Sequence, residues 1–378
     1  MIELKAVASK KDRAQFIDLA WEIYKGDPNW VPPLKIAVRD LLDVRKNPFF
    51  KHATMQAWLA FKDGKPVGRV IAVVDDYHNK YHEEKTGFFG FFECTQDYEV
   101  AQQLLDTARD WLKSKGMTTI RGPANPSTNH EAGLLVEGFQ DPPAVMMTYN
   151  PEYYGEFFER WGLSKAKDMF AYEMVSATTK FSDRIYAHSE RVKKRSGIVF
   201  RTVRMKEFEK EVDRILEIYN DAWEKNWGFV PMDAEEFRHM AKDMKAIVDP
   251  EMLLIAEVNG VPAAFGLALP DVNQAFQKIP DGKLLPTGLF KLLWNTKGPG
   301  KKKTINRCRI ITLGVKQAYR EAGIGPLLYV EYLQRGLKQG YSRGEASWIL
   351  EDNLPMNKAL QHMSAKRTKV YRIYDRAI

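Results

Sequence analysis

Cysteine is scarce: Cys94 and Cys308 are the only two in 378 residues. That excludes a disulfide framework and a cysteine-built metal site, and it suits a reducing cytoplasm, the expected compartment. The seven histidines show no metal-ligand spacing. His78 and His82 in "YHNKYHEE" are four apart, but no third ligand stands near them, so they are read as surface residues and no metal is expected. No apolar run approaches the roughly 20 residues of a membrane helix, so no span is expected. The first residues carry charge throughout and lack the apolar segment of a secretory signal.

The chain has enough of everything else. It is 44% hydrophobic and 12% aromatic, sufficient for true cores. Its length suggests about two domains. The formal net charge of +8 suits nucleic acid, anionic membranes or phosphate-rich ligands, and it is also common among proteins that bind none of these.

Two distant regions share a template. "EIYKGDPNWVPP" starts at Glu22 and "EIYNDAWEKNWGFVP" at Glu217. "WLAFKDGKPVGRVIAVVDD" from Trp58 and "LLIAEVNGVPAAFGLALPD" from Leu253 both read as strand, turn, strand. Tyr24 matches Tyr219 at an offset of 195, and Gly64 matches Gly260 at 196. Each half then supplies a strand, an amphipathic helix, a further strand, and an Asn-led segment before a last strand. This predicts an α/β (α+β) chain of two tandem units, each with a mixed, mostly antiparallel sheet flanked by helices. The units span 1–175 and 197–378, with a helical linker at 176–196.

The halves differ in glycine. None occurs between Gly90 and Gly116. In the second half the strand "RIITLGV" is followed by Arg320-Glu321-Ala322-Gly323-Ile324-Gly325-Pro326 and then a helix whose Val330, Leu333 and Leu337 form a buried stripe. Glycines let a ligand approach main chain closely. A helix start offers unpaired N–H groups and partial positive charge. Together they form an anion cradle suited to pyrophosphate.

The order strand, "GVKQAYREAGIG", helix, "SWILEDN", helix, "YRIY" resembles the GNAT superfamily of acyl-CoA-dependent N-acyltransferases. Its hallmark, [Gln/Arg]-x-x-Gly-x-[Gly/Ala], is met by Arg320, Gly323 and Gly325. The chain as a whole resembles tandem-GNAT proteins with a degenerate first half. The resemblance implies acetyl-CoA, or another acyl-CoA, as co-substrate and a small-molecule or peptide amine as acceptor. It implies that main chain near Leu313, Gly314 and Val315 holds the pantetheine arm and polarises the thioester. Arg320 to Pro326 would hold the pyrophosphate, and the amine would attack directly, leaving Cys308 an ordinary buried strand residue.

Glu351, at the end of the next strand, is the expected base. Asn353 matches a family asparagine, and equally suits a helix cap. A departure follows: the family's acid, a tyrosine about seven residues after that asparagine, is Leu360 here, and nearby His362 is the substitute considered. The loop "IRGPANPSTNHEAGLLVEGFQDPP" and its neighbourhood supply Asn129, His130, Glu131 and Tyr149 as substrate-binding candidates. The segment Leu284 to Lys303 is an insertion, expected to be packed rather than a lid, a dimer contact or a membrane-surface helix, with Lys301-Lys302-Lys303 attracting phosphates. The alternatives are a non-catalytic acyl-CoA- or nucleic-acid-binding module, or an aminoacyl-tRNA-dependent transferase. The phosphate cradle argues against the last, and nucleic acid is not the expected partner.

Overall fold

The computed structural model describes residues 1–179, 181–224, 226–300 and 304–378, so the run Lys301-Lys302-Lys303 lies outside the described residues. The chain divides into two compact units. One is Met1–Met169 with Ile279–Gly288 and Lys369–Ile378, and the other is Phe170–Lys278 with Leu289–Thr368.

In chain order the elements begin β1 (Ile2–Ala6), α1 (Lys10–Ile23), α2 (Lys35–Leu41), β2 (Ala53–Lys62), β3 (Lys65–Asp75), α3 (Asp76–His82), β4 (Thr86–Cys94) and α4 (Tyr98–Ser114). Next come β5 (Thr119–Gly122), β6 (Ala124–Asn125), β7 (Glu131–Ala132), β8 (Leu134–Glu137), α5 (Tyr154–Arg160) and β9 (Ser164–Val175). Then follow α6 (Asp183–Ser196), β10 (Ile198–Thr202), α7 (Phe208–Trp223), α8 (Ala234–Lys245), β11 (Leu253–Val258), β12 (Val261–Pro270), α9 (Asn273–Phe276) and α10 (Gly288–Thr296). The chain ends with β13 (Arg307–Val315), α11 (Ile324–Gln339), β14 (Arg343–Leu350), α12 (Leu354–His362) and β15 (Lys366–Ala377).

The first unit's sheet runs β1-β2-β3-β4-β5-β15, with β8 also on β15. Only β4 and β5 pair in parallel among β1 to β5. Helix α4 buries Val100, Ala101, Leu104, Leu105, Ala108 and Leu112, one face of a 3.6-residue period. A side chain at Gly68 would collide with Leu104 and one at Gly87 with Leu112, so these glycines let the helix settle on the sheet.

The second unit repeats the plan. Its sheet runs β14-β13-β12-β11-β10, with β13 and β14 parallel and the rest antiparallel. The two hairpins agree in detail. Asp63 and Gly64 have φ of 52° and 75°, and Asn259 and Gly260 have 51° and 82°. Two successive positive φ values are what a two-residue type I′ hairpin turn demands, and Asp-Gly or Asn-Gly supplies them. A register shift falls after Ala60 in one hairpin and after Ala256 in the other, four residues before the glycine in each case.

Two local expectations are corrected. His78 is buried, with 2% exposure, because α3 turns its ring against Phe88 at 4.8 Å between centroids. Burial lowers its pKa to about 4. In α11, Val330 is buried but Leu337 is 45% exposed. The buried face there is instead Ile324, Leu327, Leu328, Val330, Tyr332 and Gly336. No described helix is long and apolar enough to cross a membrane, and no described cluster of three His, Cys, Asp or Glu side chains could hold a metal.

Candidate functional site

The site of the second unit begins where two parallel strands part. β13 and β14 pair from Arg307↔Arg343 to Ile310↔Ala346. Beyond that ladder β13 continues to Val315 and β14 to Leu350. On its other side β13 stays paired with β12 through Val315, apart from a bulge. Thr312 faces Leu267 and Ile310 faces Ala268, so Ile311 is an extra residue with no partner opposite. Alternate residues of an antiparallel strand turn their N–H and C=O toward one neighbour. The others in Ile311–Val315 therefore aim at the gap.

An apolar cavity of about 90 Å³ opens there. One water needs roughly 10–15 Å³ on this measure. Its walls include Ile310 to Leu313 from β13, Tyr329 and Leu333 from α11, Ala346 from β14 and Leu360 from α12. Leu337 also lines it, which explains why this leucine is not packed. Cys308 lies on the wall too, buried, its thiol pushed up to about 12 by burial and unsuited to act as a thiolate. Gly314 is fixed by packing, because a Cβ there would run into the Trp223 ring.

Gln317–Ala322 form a 3-10 turn. Gly323 then adopts φ +76°, a left-handed conformation that costs glycine least, and α11 starts at Ile324. No side chain caps this helix. A Cβ at Gly323 or Gly325 would meet nothing within 4 Å, so the ground before the helix is open. Pro326 sits in the first turn, where its missing N–H removes no helical bond. The turn is held from behind by the end of α7. Asp221 accepts from the Gln317 N–H at 2.6 Å, and Lys316 pairs with Glu217 at 2.6 Å. Arg320 is exposed, with one nitrogen donating to the Ala222 carbonyl at 2.9 Å, so at least that nitrogen braces the turn. Glu321 is exposed and Ala322 half-buried beside it.

The remaining residues separate. Glu351 follows β14 directly and is half-buried. Asn353 caps α12, its side chain accepting from the Met356 N–H at 3.3 Å. The buried asparagine is Asn357, which donates to the Leu350 and Asn353 carbonyls and accepts from the Tyr172 hydroxyl at 2.8 Å. It ties the strand end to the helix. His362 ends α12, exposed and absent from the cavity wall. Tyr329 was not singled out in the sequence, yet it lines the cavity, and its hydroxyl donates to the Met356 sulfur at 3.1 Å. Burial raises its pKa, so the phenol stays protonated at neutral pH.

The corresponding place in the first unit is closed. β4 and β5 part after Phe88↔Arg121, and β4 runs on to Cys94. There Tyr154 accepts from the Cys94 N–H at 2.8 Å and Tyr153 donates to its carbonyl at 2.7 Å. Phe92 stacks edge-on against Tyr154 and Phe158. At the start of α4, Asp97 accepts from the Glu99 N–H at 3.1 Å and pairs with Lys62 at 2.7 Å.

Of the residues proposed to meet substrate, Asn129 donates its N–H to Ser127, whose hydroxyl shares a 2.8 Å bond with His130. The His130 ring packs edge-on to Phe49, and Glu131 pairs with Asn125 between β7 and β6. Tyr149 stands elsewhere, donating to Asp27 at 2.8 Å beside an open hollow of about 260 Å³ whose walls do not include the other three.

The sequence model of the acetyltransferase (GNAT) family matches residues 212–363. Protein YghO of Escherichia coli (strain K12) is 35% identical over 99% of this chain and 95% of its own length. A protein of Caulobacter vibrioides named bacterial ceramide synthase is 37% identical over 100% of this chain and 97% of its own. A tandem GNAT protein from the clavulanic acid biosynthesis pathway, solved without AcCoA, superimposes with a TM-score of 0.58 at 13% identity, covering 100% of this chain and 98% of that one, a likeness of fold. With two relatives above 30% identity along nearly the whole chain, this protein belongs to the acetyltransferase (GNAT) family in its tandem arrangement, and it is an N-acyltransferase.

Proposed function

We propose that the chain moves a long acyl group from coenzyme A to the amine of a long-chain amino alcohol. The observation that carries this reading is the apolar cavity between β13 and β14, reached from the strand that leads into the uncapped glycine turn. An acetyl group would leave most of such a space unfilled, so acetyl-CoA, the donor suggested by resemblance alone, is the second choice. The name of the Caulobacter relative supports the same direction, since a ceramide is an N-acylated long-chain amino alcohol. The coenzyme site is assigned to the 197–378 half, and the 1–175 half serves as scaffold.

In this reading the amides at Gly323 to Gly325 receive the pyrophosphate, with the helix dipole adding attraction. The pantetheine arm lies along Ile311–Val315, and a main-chain N–H of that stretch polarises the thioester carbonyl. The acyl tail enters the cavity. The amine nitrogen attacks the carbonyl carbon, the carbon–sulfur bond breaks, and an amide and free coenzyme A result. Glu351, directly or through water, takes the proton that the amine sheds. Tyr329 gives its proton to the departing thiolate and recovers one from solvent; His362 is the weaker choice because it is exposed.

The test is thiol release by the full chain from acetyl-CoA and palmitoyl-CoA, each with sphinganine and with a panel of hydrophilic amines, the amide being identified by mass spectrometry. Turnover of palmitoyl-CoA with sphinganine, well above every acetyl-CoA or hydrophilic pair, is expected. Preference for acetyl-CoA would reject the long-chain reading, and binding of acyl-CoA with no thiol release under any pairing would favour a sensor.

A further inference from the structure

The insertion Leu284 to Lys303, which contains α10, is expected to be packed, and the residues just before it are: Trp21 donates to the Pro280 carbonyl at 2.8 Å, and Gly282 lies against the Trp21 ring. The helix itself is not. Leu289, Phe290, Leu293 and Trp294 are between 43% and 68% exposed. Their spacing, i, i+1, i+4 and i+5, puts them on one face. The Phe290 and Trp294 rings lie 5.9 Å apart, so the face is a continuous patch. Leu285, three residues before the helix, is 74% exposed as well. A soluble surface rarely leaves so many large apolar side chains together.

Charge says what covers them. From Gly282 to Arg320 the sequence contains no aspartate or glutamate. Within that stretch Lys283, Lys291 and Lys297 flank the apolar residues, and the sequence continues with Lys301, Lys302 and Lys303. Lys283, Lys291 and Lys297 are exposed. An aromatic and leucine face bordered by lysines, with acid excluded, is the make-up of a helix that lies in a membrane interface. Anionic headgroups attract the lysines while the rings enter the acyl boundary. A protein partner would need acidic groups around an apolar groove, and a second copy would bring lysines against lysines.

We infer that α10 and its flanking lysines dock the protein on the surface of an anionic phospholipid bilayer. The inference stands on the helix alone and does not depend on the acyl donor or acceptor.

The experiment is co-sedimentation of the full chain with vesicles of phosphatidylcholine alone, and of phosphatidylcholine with phosphatidylglycerol, at low and high salt. Binding to the anionic vesicles, weakened by salt, is expected. The double variant Phe290→Ser/Trp294→Ser should lower partitioning about tenfold or more, and Lys283→Gln/Lys291→Gln/Lys297→Gln should weaken the salt dependence. Both variants change exposed positions, and unchanged coenzyme A affinity and melting temperature confirm that they are folded. Equal binding by the double variant would overturn the inference, as would absence of binding to anionic vesicles. Sedimentation velocity supplies the rival outcome: a dimer in wild type that disappears in Phe290→Ser/Trp294→Ser would assign the face to a second copy and also overturn it.

Discussion

The same junction is built twice in this chain and finished in opposite ways. In both units a strand parts from its parallel neighbour and runs on alone, β4 to Cys94 and β13 to Val315, before a turn and an amphipathic helix. In the first, the exposed main chain is taken by the hydroxyls of Tyr153 and Tyr154, and the helix start is taken by Asp97. In the second, the gap is an apolar cavity and the helix start is an uncapped glycine. A fold that leaves main-chain groups unpaired must satisfy them with its own side chains or keep them for a ligand. The first copy does the former.

The largest effect comes from closing the second junction as the first is closed. Gly325→Asp places a carboxylate in open space in the first turn of α11, where a negative charge stabilises the helix. The fold should therefore hold or gain stability. A phosphate approaching that carboxylate to about 5 Å meets roughly 3 kcal/mol of repulsion at an effective dielectric of 20. Wild-type protein should titrate one acyl-CoA per chain by calorimetry. In the variant, affinity should fall about a hundredfold or more. Retained binding at unchanged melting temperature would mean that the turn does not carry the pyrophosphate. Gly323→Asp is a poorer probe, because φ +76° adds strain of its own.

What the sequence allowed depended on range. The hairpins were readable because Asp63-Gly64 and Asn259-Gly260 spell out a turn by their own backbone preferences, and the near-constant offset tied them together. The glycine turn before α11 was readable because Gly323, at φ +76°, stands where a left-handed backbone is required. Tyr329 was not, since a tyrosine in an amphipathic helix looks alike whether it packs or lines a cavity. Only the approach of α12 brings Met356 to its hydroxyl. The plugging of β4 was equally hidden, because Tyr153 and Tyr154 arrive from about sixty residues downstream. His78 was misjudged at shorter range: its burial depends on Phe88 in the next strand, which the spacing of histidines does not reveal.

Chemistry in the open junction gives the next effect. Tyr329→Phe keeps the ring and removes the proton, so kcat should fall about a hundredfold with KM nearly unchanged. The alkaline limb of the pH profile should disappear with it. The sign follows from burial: the phenol titrates above its ordinary range, so the acid is intact at neutral pH and is lost only as pH rises through that raised value. Glu351→Gln should lower kcat without weakening coenzyme binding. Full activity in either variant would remove that residue from the mechanism.

Partial filling should have a smaller and more selective result. Ala346→Phe brings to the open cavity the kind of ring that Phe92 supplies in the closed one. Overpacking costs about 1–3 kcal/mol of stability, less here because there is space. If the acyl tail occupies the cavity, kcat/KM for palmitoyl-CoA should drop about tenfold while that for acetyl-CoA stays level. An equal fall for both donors would show that the cavity serves the pantetheine or the fold instead.

The least effect is predicted for opening the first junction. Asp97→Ala removes the α4 cap and the Lys62 pair, costing about 1 kcal/mol, or a melting shift of about 2–4 °C. The bond from Lys62 leads the causes that hold the Asp97 carboxyl below its usual range. Its contribution is therefore full above the ordinary carboxylate range and is lost as pH falls through the lowered value, so wild type and variant should converge in acid. No second acyl-CoA should bind, because Tyr153, Tyr154 and Phe92 still occupy the gap. A calorimetric stoichiometry rising from one to two would show that the cap alone separates the two junctions, and that the aromatic plug yields to a ligand.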